Sequence, residues 1–241
     1  MTFAAAAGRA AAEIHHDHRN VVGGWLRPAV FGAMDGLLTN VALITSVAAA
    51  GTSHHVVVLT GVAGLLAGAM SMAVGEWTSV RSQRQLVAAE IAVERAELVR
   101  RPEAEEAELA GIFRSRGLPR ELAATVAREL SKDPEIAWRV HVREELGVDP
   151  DDLPSPLLAA GSSLGSFALG AFVPLAPYVF GGNALWVALV LAGVALLALG
   201  AGVARFTGTS AWRGALMQLA LGAATAAITY GVGRAFGATV S

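Results

Sequence analysis

Gly68-Ala69-Met70-Ser71-Met72-Ala73-Val74-Gly75-Glu76-Trp77 closes a long apolar tract with a thioether and, one helical turn later, a carboxylate. An acid in that position costs free energy in a membrane and is out of place in a soluble core. Working outward, the tract begins near Val56, and a short link, Gly51-Thr52-Ser53-His54-His55, joins it to an earlier one. That earlier tract runs from Ala29 to Ala50 and is broken only by Asp35. Three more follow, from Leu157 to about Phe180, from Ala184 to Ala204, and from Trp212 to about Phe236. Each has about 20 residues or more, enough to cross a ~30 Å hydrocarbon core as a helix.

Composition agrees with that reading. The 241 residues are 54% hydrophobic and 16% charged, with a mean hydropathy of +0.52, where a soluble protein carries about 25% charged residues. Of the 20 acidic residues, 16 fall between Glu90 and Asp152, together with 10 of the 18 basic ones. The chain reads as an all-α membrane protein of five transmembrane helices, with one polar helical insertion between helices 2 and 3. Its expected divisions are a tail at 1–25, helices 1–2 at 26–80, the insertion at 81–156 and helices 3–5 at 157–241. There is no cysteine, which excludes disulfides and thiolate metal sites. No cleavable signal peptide is expected, because the tail lacks an early apolar core.

The cations set the orientation. The links at 51–55 and 181–183 hold no Lys or Arg, whereas the stretch up to Arg27, the insertion and the Arg205–Arg213 link hold 17 of the 18. The positive-inside rule places the N-terminus and the insertion in the cytoplasm and the C-terminus outside. The Ala/Gly/Arg-rich composition and short tails point to a bacterial plasma membrane.

Within the insertion, proline and glycine mark the helices. Residues 78–99 carry the second span straight out of the membrane. Pro102 opens a helix that Gly117 ends, Pro119 opens another, and Asp133-Pro134 opens a fourth that stops at Gly147. No Gly-rich phosphate loop, nucleophile elbow or basic-aromatic surface is present, so neither an enzyme nor a nucleic-acid partner is expected.

Counted from the turn at Ser53, Asp35 lies 18 residues up the first helix and Ser71 lies 18 down the second. Asp35 and Met72 are therefore expected at nearly one depth, with Glu76 about 5.4 Å nearer the cytoplasm. Two carboxylates and a thioether suit a divalent transition ion, the sulfur tilting the site towards softer ions such as Fe(II). Their protons must leave for metal to bind, so protons and metal should compete. In the insertion, Glu90, Glu94 and Glu97 share a face, as do Glu105 and Glu108, and His141, Glu144 and Glu145 cluster on the last helix. Spacing leaves two readings open for these acids, a solvated face paired to arginines or a set of metal ligands. His15-His16-Asp17-His18 in the tail could hold a metal weakly but is expected to be mobile, and His54 and His55 have no partner nearby in sequence.

These residues carry a resemblance. Phe31-Gly32-Ala33-Met34-Asp35-Gly36-Leu37, the 68–77 stretch, and Arg143-Glu144-Glu145-Leu146-Gly147 closing the insertion together resemble the vacuolar iron transporter family over about residues 25–236. The resemblance implies a homodimer of five-span protomers moving Fe2+, and often Mn2+, out of the cytosol in exchange for protons. The metals are then substrates, and no prosthetic group is expected. It also implies that Asp35 and Met72 line the path, that Glu76 is its cytoplasmic gate, and that Glu94, Glu97, Glu105 and Glu108 collect metal with Glu144 and Glu145. Two departures stand out: His141 occupies the place of a family Met, and Gly68 that of an Asp many members carry. The rival readings are a membrane-anchored metal sensor or iron-storage oxidase, with its chemistry in the insertion, and a simple scaffold.

Overall fold

The computed structural model describes residues 24–182 and 185–240. The tail with its histidine cluster, and part of the link between the third and fourth spans, lie outside the described residues. All the regular structure among the described residues is helical. The helices are α1 (Leu26–Ala49), α2 (His54–Arg100), α3 (Pro102–Ser115), α4 (Arg120–Ser131), α5 (Pro134–Glu145), α6 (Pro156–Val179), α7 (Leu185–Phe206) and α8 (Ala211–Val240). Five of them, α1, α2, α6, α7 and α8, are long and apolar enough to cross a membrane.

Helix α2 dominates the molecule. Its 47 residues extend about 70 Å at 1.5 Å per residue, more than twice a ~30 Å hydrocarbon core. Only the first half is apolar, so the rest stands clear of the bilayer and carries the insertion. The breakers act where the sequence places them. Pro102 and Pro134 occupy the first turns of α3 and α5, where a missing N–H leaves nothing unsatisfied. Asp133 caps α5, its carboxylate accepting from Glu135 N at 2.8 Å. Gly117, at φ +98, ends α3, with Leu118 N bonded back to Phe113 O and Gly117 N to Arg114 O. This is the paired closure that a left-handed residue allows.

In the membrane layer, the tightest packing joins α1 to α6, and the next α2 to α6. The third span thus lies against both arms of the first hairpin. Gly36 and Gly170 make this possible, because a Cβ at Gly36 would strike the Phe167 carbonyl and one at Gly170 the Ala33 carbonyl. Such backbone approach is how helices associate in lipid. Asn40, fully buried, ties the seam by donating from Nδ2 to Ala171 O at 2.7 Å. Helices α7 and α8 pair with each other and close the bundle against α1.

Candidate metal centre

Three helices of the insertion converge on one imidazole. Glu94 projects from α2 eighteen residues beyond Glu76, which is about 27 Å along the helix. Pro102 turns the chain back, and α3 brings Glu105 alongside. Helix α5 packs on α2 and α3, presenting His141 and Glu145 from one face at a spacing of four. Trp138, one turn before His141, seats α5. Its ring lies under the Arg95 guanidinium of α2 at 4.1 Å, and its Nε1 donates to Glu135 at 3.0 Å.

His141 is 0% exposed, Glu94 8% and Glu105 6%. Nδ1 of His141 lies 2.9 Å from Glu145 Oε1, 3.0 Å from Glu94 Oε1 and 3.8 Å from Glu105 Oε2. One ligand atom from each of the four residues falls within 4.8 Å of the others. Nδ1 carries at most one proton, so it can donate to only one of these carboxylates. The remaining lone pairs converge without a donor. Two buried carboxylates and an exposed third, Glu145, around one buried imidazole are an excess of negative charge that a divalent cation neutralises. One nitrogen and three oxygens suit borderline ions such as Fe(II) or Co(II) and the harder Mn(II). The other ring nitrogen, Nε2, is buried with no hydrogen-bond partner.

The strain of that arrangement appears in the acids. Burial, reinforced by the Glu145 charge, pushes Glu94 up to about 7; Glu105 and Glu97 add to the rise and His141 opposes it. Glu105 is also raised, first by burial and then by Glu108.

The structure divides the sequence candidates of the insertion. Glu94, Glu105, His141 and Glu145 come together. Glu97 and Glu108 are exposed and act on the cluster through their charge from its rim. Glu144 turns away to pair with Arg116 of the α3–α4 turn.

The three membrane candidates have separate surroundings. Asp35 is half-buried and accepts from the Thr39 hydroxyl at 3.3 Å. Met72 packs beside Phe167, Ala69 and Ala171. Glu76 borders a cavity of about 200 Å³ with Arg27, Gln83 and Pro154. A second cavity, of about 350 Å³, shares Val80, Gln83 and Pro154 with it and continues towards Asp149 and Asp152. Phe167 links the levels of the hairpin, its carbonyl against Gly36 and its ring filling the space a side chain at Gly68 would need. Sequence reasoning missed Phe167 and Asn40. Asn40 left a signal, an amide inside an apolar tract; Phe167 left none, since an aromatic in a span is ordinary.

The VIT family profile matches residues 26–234. The chain is 36% identical to a vacuolar iron transporter of Acanthamoeba castellanii over 230 residues, covering 90% of this chain and 81% of that protein. It is 31% identical to vacuolar iron transporter 1 of Oryza sativa subsp. japonica over 235 residues, covering 95% and 93%. Its identity to vacuolar iron transporter 1 of Eucalyptus grandis is 30% over 224 residues, covering 92% and 90%.

Proposed function

Because this chain belongs to the VIT family, we propose that it moves iron, as Fe2+, across the membrane, with Mn2+ as a second substrate. The observation that carries this reading is the Glu94–Glu105–His141–Glu145 cluster, closed around a fully buried imidazole, at the far end of a helix continuous with the second span. Metal is collected there and travels along α2 to Glu76, past the two adjoining cavities lined by Asp149, Asp152 and Gln83. A direct hand-over from the cluster to Glu76 is too long at about 27 Å. Asp35 and Met72 then take the ion through the bilayer. A carboxylate at that depth costs roughly 2.5–3.5 kcal/mol on insertion scales, a cost that a passing divalent cation or a proton relieves.

Direction follows from the arginines: with the insertion in the cytoplasm, the collecting site faces the compartment to be emptied. Export is coupled to proton entry, because metal and proton compete for the same carboxylates, and Glu94 and Glu105, raised by burial, release protons as metal binds. The path lies between two protomers, and the bacterial plasma membrane is the setting. No residue is assigned a catalytic role. A di-iron oxidase draws on four Glu and two His, whereas the cluster here offers three Glu and one His.

The deciding experiment is flux into proteoliposomes with Fe2+ and Mn2+ in competition and a pH dye in the lumen. Export coupled to protons predicts metal movement with a stoichiometric pH change in the opposite compartment. Metal movement without a pH change refutes the coupling, and absence of movement refutes the transporter.

A further inference from the structure

One cavity belongs to none of these steps. It is an apolar groove of about 490 Å³ between α1, α6 and α7, walled by Val30, Ala33, Leu169, Ala198, Gly202 and Val203 among others. Helices α1 and α7 touch through Leu37, Val41, Ala192 and Leu196. Beyond that contact they part towards the start of α1 and the end of α7, and the groove fills the gap. Ser166 supplies its polar side chain, and that hydroxyl already donates to Ser163 O at 3.1 Å. A polar ligand would find little to bind. An acyl chain in an apolar groove gains dispersion contacts on every wall.

Arg205, exposed in the last turn of α7, lies between the lining residues Val203 and Phe206 in sequence. It follows Ala198 by seven residues, two helical turns, and so shares the groove-facing side. We propose that this groove holds one acyl chain of an anionic phospholipid from the surrounding bilayer, with its headgroup phosphate on the Arg205 guanidinium. Guanidinium matches phosphate with a two-pronged hydrogen bond that a choline headgroup partly masks with its own cation. The bound chain braces α1 from behind. Ala33 and Leu37 stand two residues either side of Asp35, about 200° round the helix, and so on its opposite face.

The test uses the full chain extracted in mild detergent and titrated with phosphatidylglycerol or phosphatidylcholine of matched acyl chains, with retained lipid counted by native mass spectrometry. Phosphatidylglycerol is expected to be retained in preference. Arg205→Gln should cut that preference about fivefold, the worth of one arginine at an anionic surface. Gly202→Phe should expel both lipids; a Cβ there meets open space, so the helix tolerates it, and Ala198→Leu serves as a second filling variant. Equal retention of the two lipids, or retention indifferent to both filling variants, overturns the proposal. So does a filling variant that changes the number of protomers, which would give the groove to a second copy. Lipid uptake that appears only after deleting residues 1–23 would give it to the chain's own tail, and overturns the proposal as well.

Discussion

Glu76 and Glu94 stand on one continuous helix, yet their surroundings are opposite. Glu94 is nearly closed off from water, with its carboxylate against an imidazole and two other acids. Glu76 borders an open cavity beside an arginine. The same contrast separates the two candidate sites as wholes. In the insertion, three helices gather one ligand atom from each of four residues within 4.8 Å of one another. In the membrane, Asp35, Met72 and Glu76 each keep different neighbours. A shell that is already assembled binds and holds; residues strung along a path bind weakly and let go. The collection and transit proposed above need those two behaviours, and one long helix carries Glu94 at one end and Met72 and Glu76 nearer the other.

The comparison breaks most visibly at Asp35. Asp35→Ala should reduce Fe2+ flux in proteoliposomes to background while leaving metal binding by the insertion intact; undiminished flux in a folded variant would sink the path. His141→Ala comes next. Losing the central ligand should weaken metal affinity by at least about tenfold, the lower end of what even outer-shell losses cost, as read by calorimetry with Co2+ or Mn2+. Unchanged affinity would mean that the cluster is only an ion-pair network.

Glu94 sharpens the contrast through pH. Its folded value of about 7 lies above the 4.5 of an ordinary glutamate. Between those two values the folded chain holds a proton that the unfolded chain has lost. The metal-free insertion should therefore lose stability as pH rises from about 4.5 to 7, and stay at the lower level above. Metal affinity runs the other way, falling up to about tenfold per pH unit below 7 as the proton competes. Glu94→Gln should then raise the metal-free melting temperature at pH 8 while weakening metal binding, a pair of opposite signs that simple loss of packing does not produce. The smallest effect is expected at Arg116→Ala. Its pair with Glu144 is half-exposed on the arginine side, so stability should change by no more than about 1 kcal/mol, with metal affinity unmoved.

Much of the architecture was legible because its causes are local. Apolar tracts of span length, Pro102, Pro134 and Gly117 act within a turn or two of where they stand, and the helices begin and end beside them. The site was legible by half. A spacing of three or four says that Glu94 and Glu97, or Glu105 and Glu108, share a face; it does not say which member meets a neighbouring helix. Glu94 and Glu105 are buried against α5, whereas Glu97 and Glu108 remain on the rim. Glu144 and Glu145 adjoin in sequence, yet about 100° of helical rotation sends one to Arg116 and the other to His141.

From sequence alone came five helices of membrane length, a polar insertion between the second and third, and the residue types that suit a divalent ion. Those follow from hydrophobicity and backbone chemistry, which each residue carries wherever it sits. Tertiary structure decided which acids close around His141, that α6 lies against both arms of the first hairpin, and that the ring of Phe167 occupies the space beside Gly68. Those depend on how helices far apart in the chain cross, and the crossing is set by close packing of whole surfaces, which no local pattern encodes.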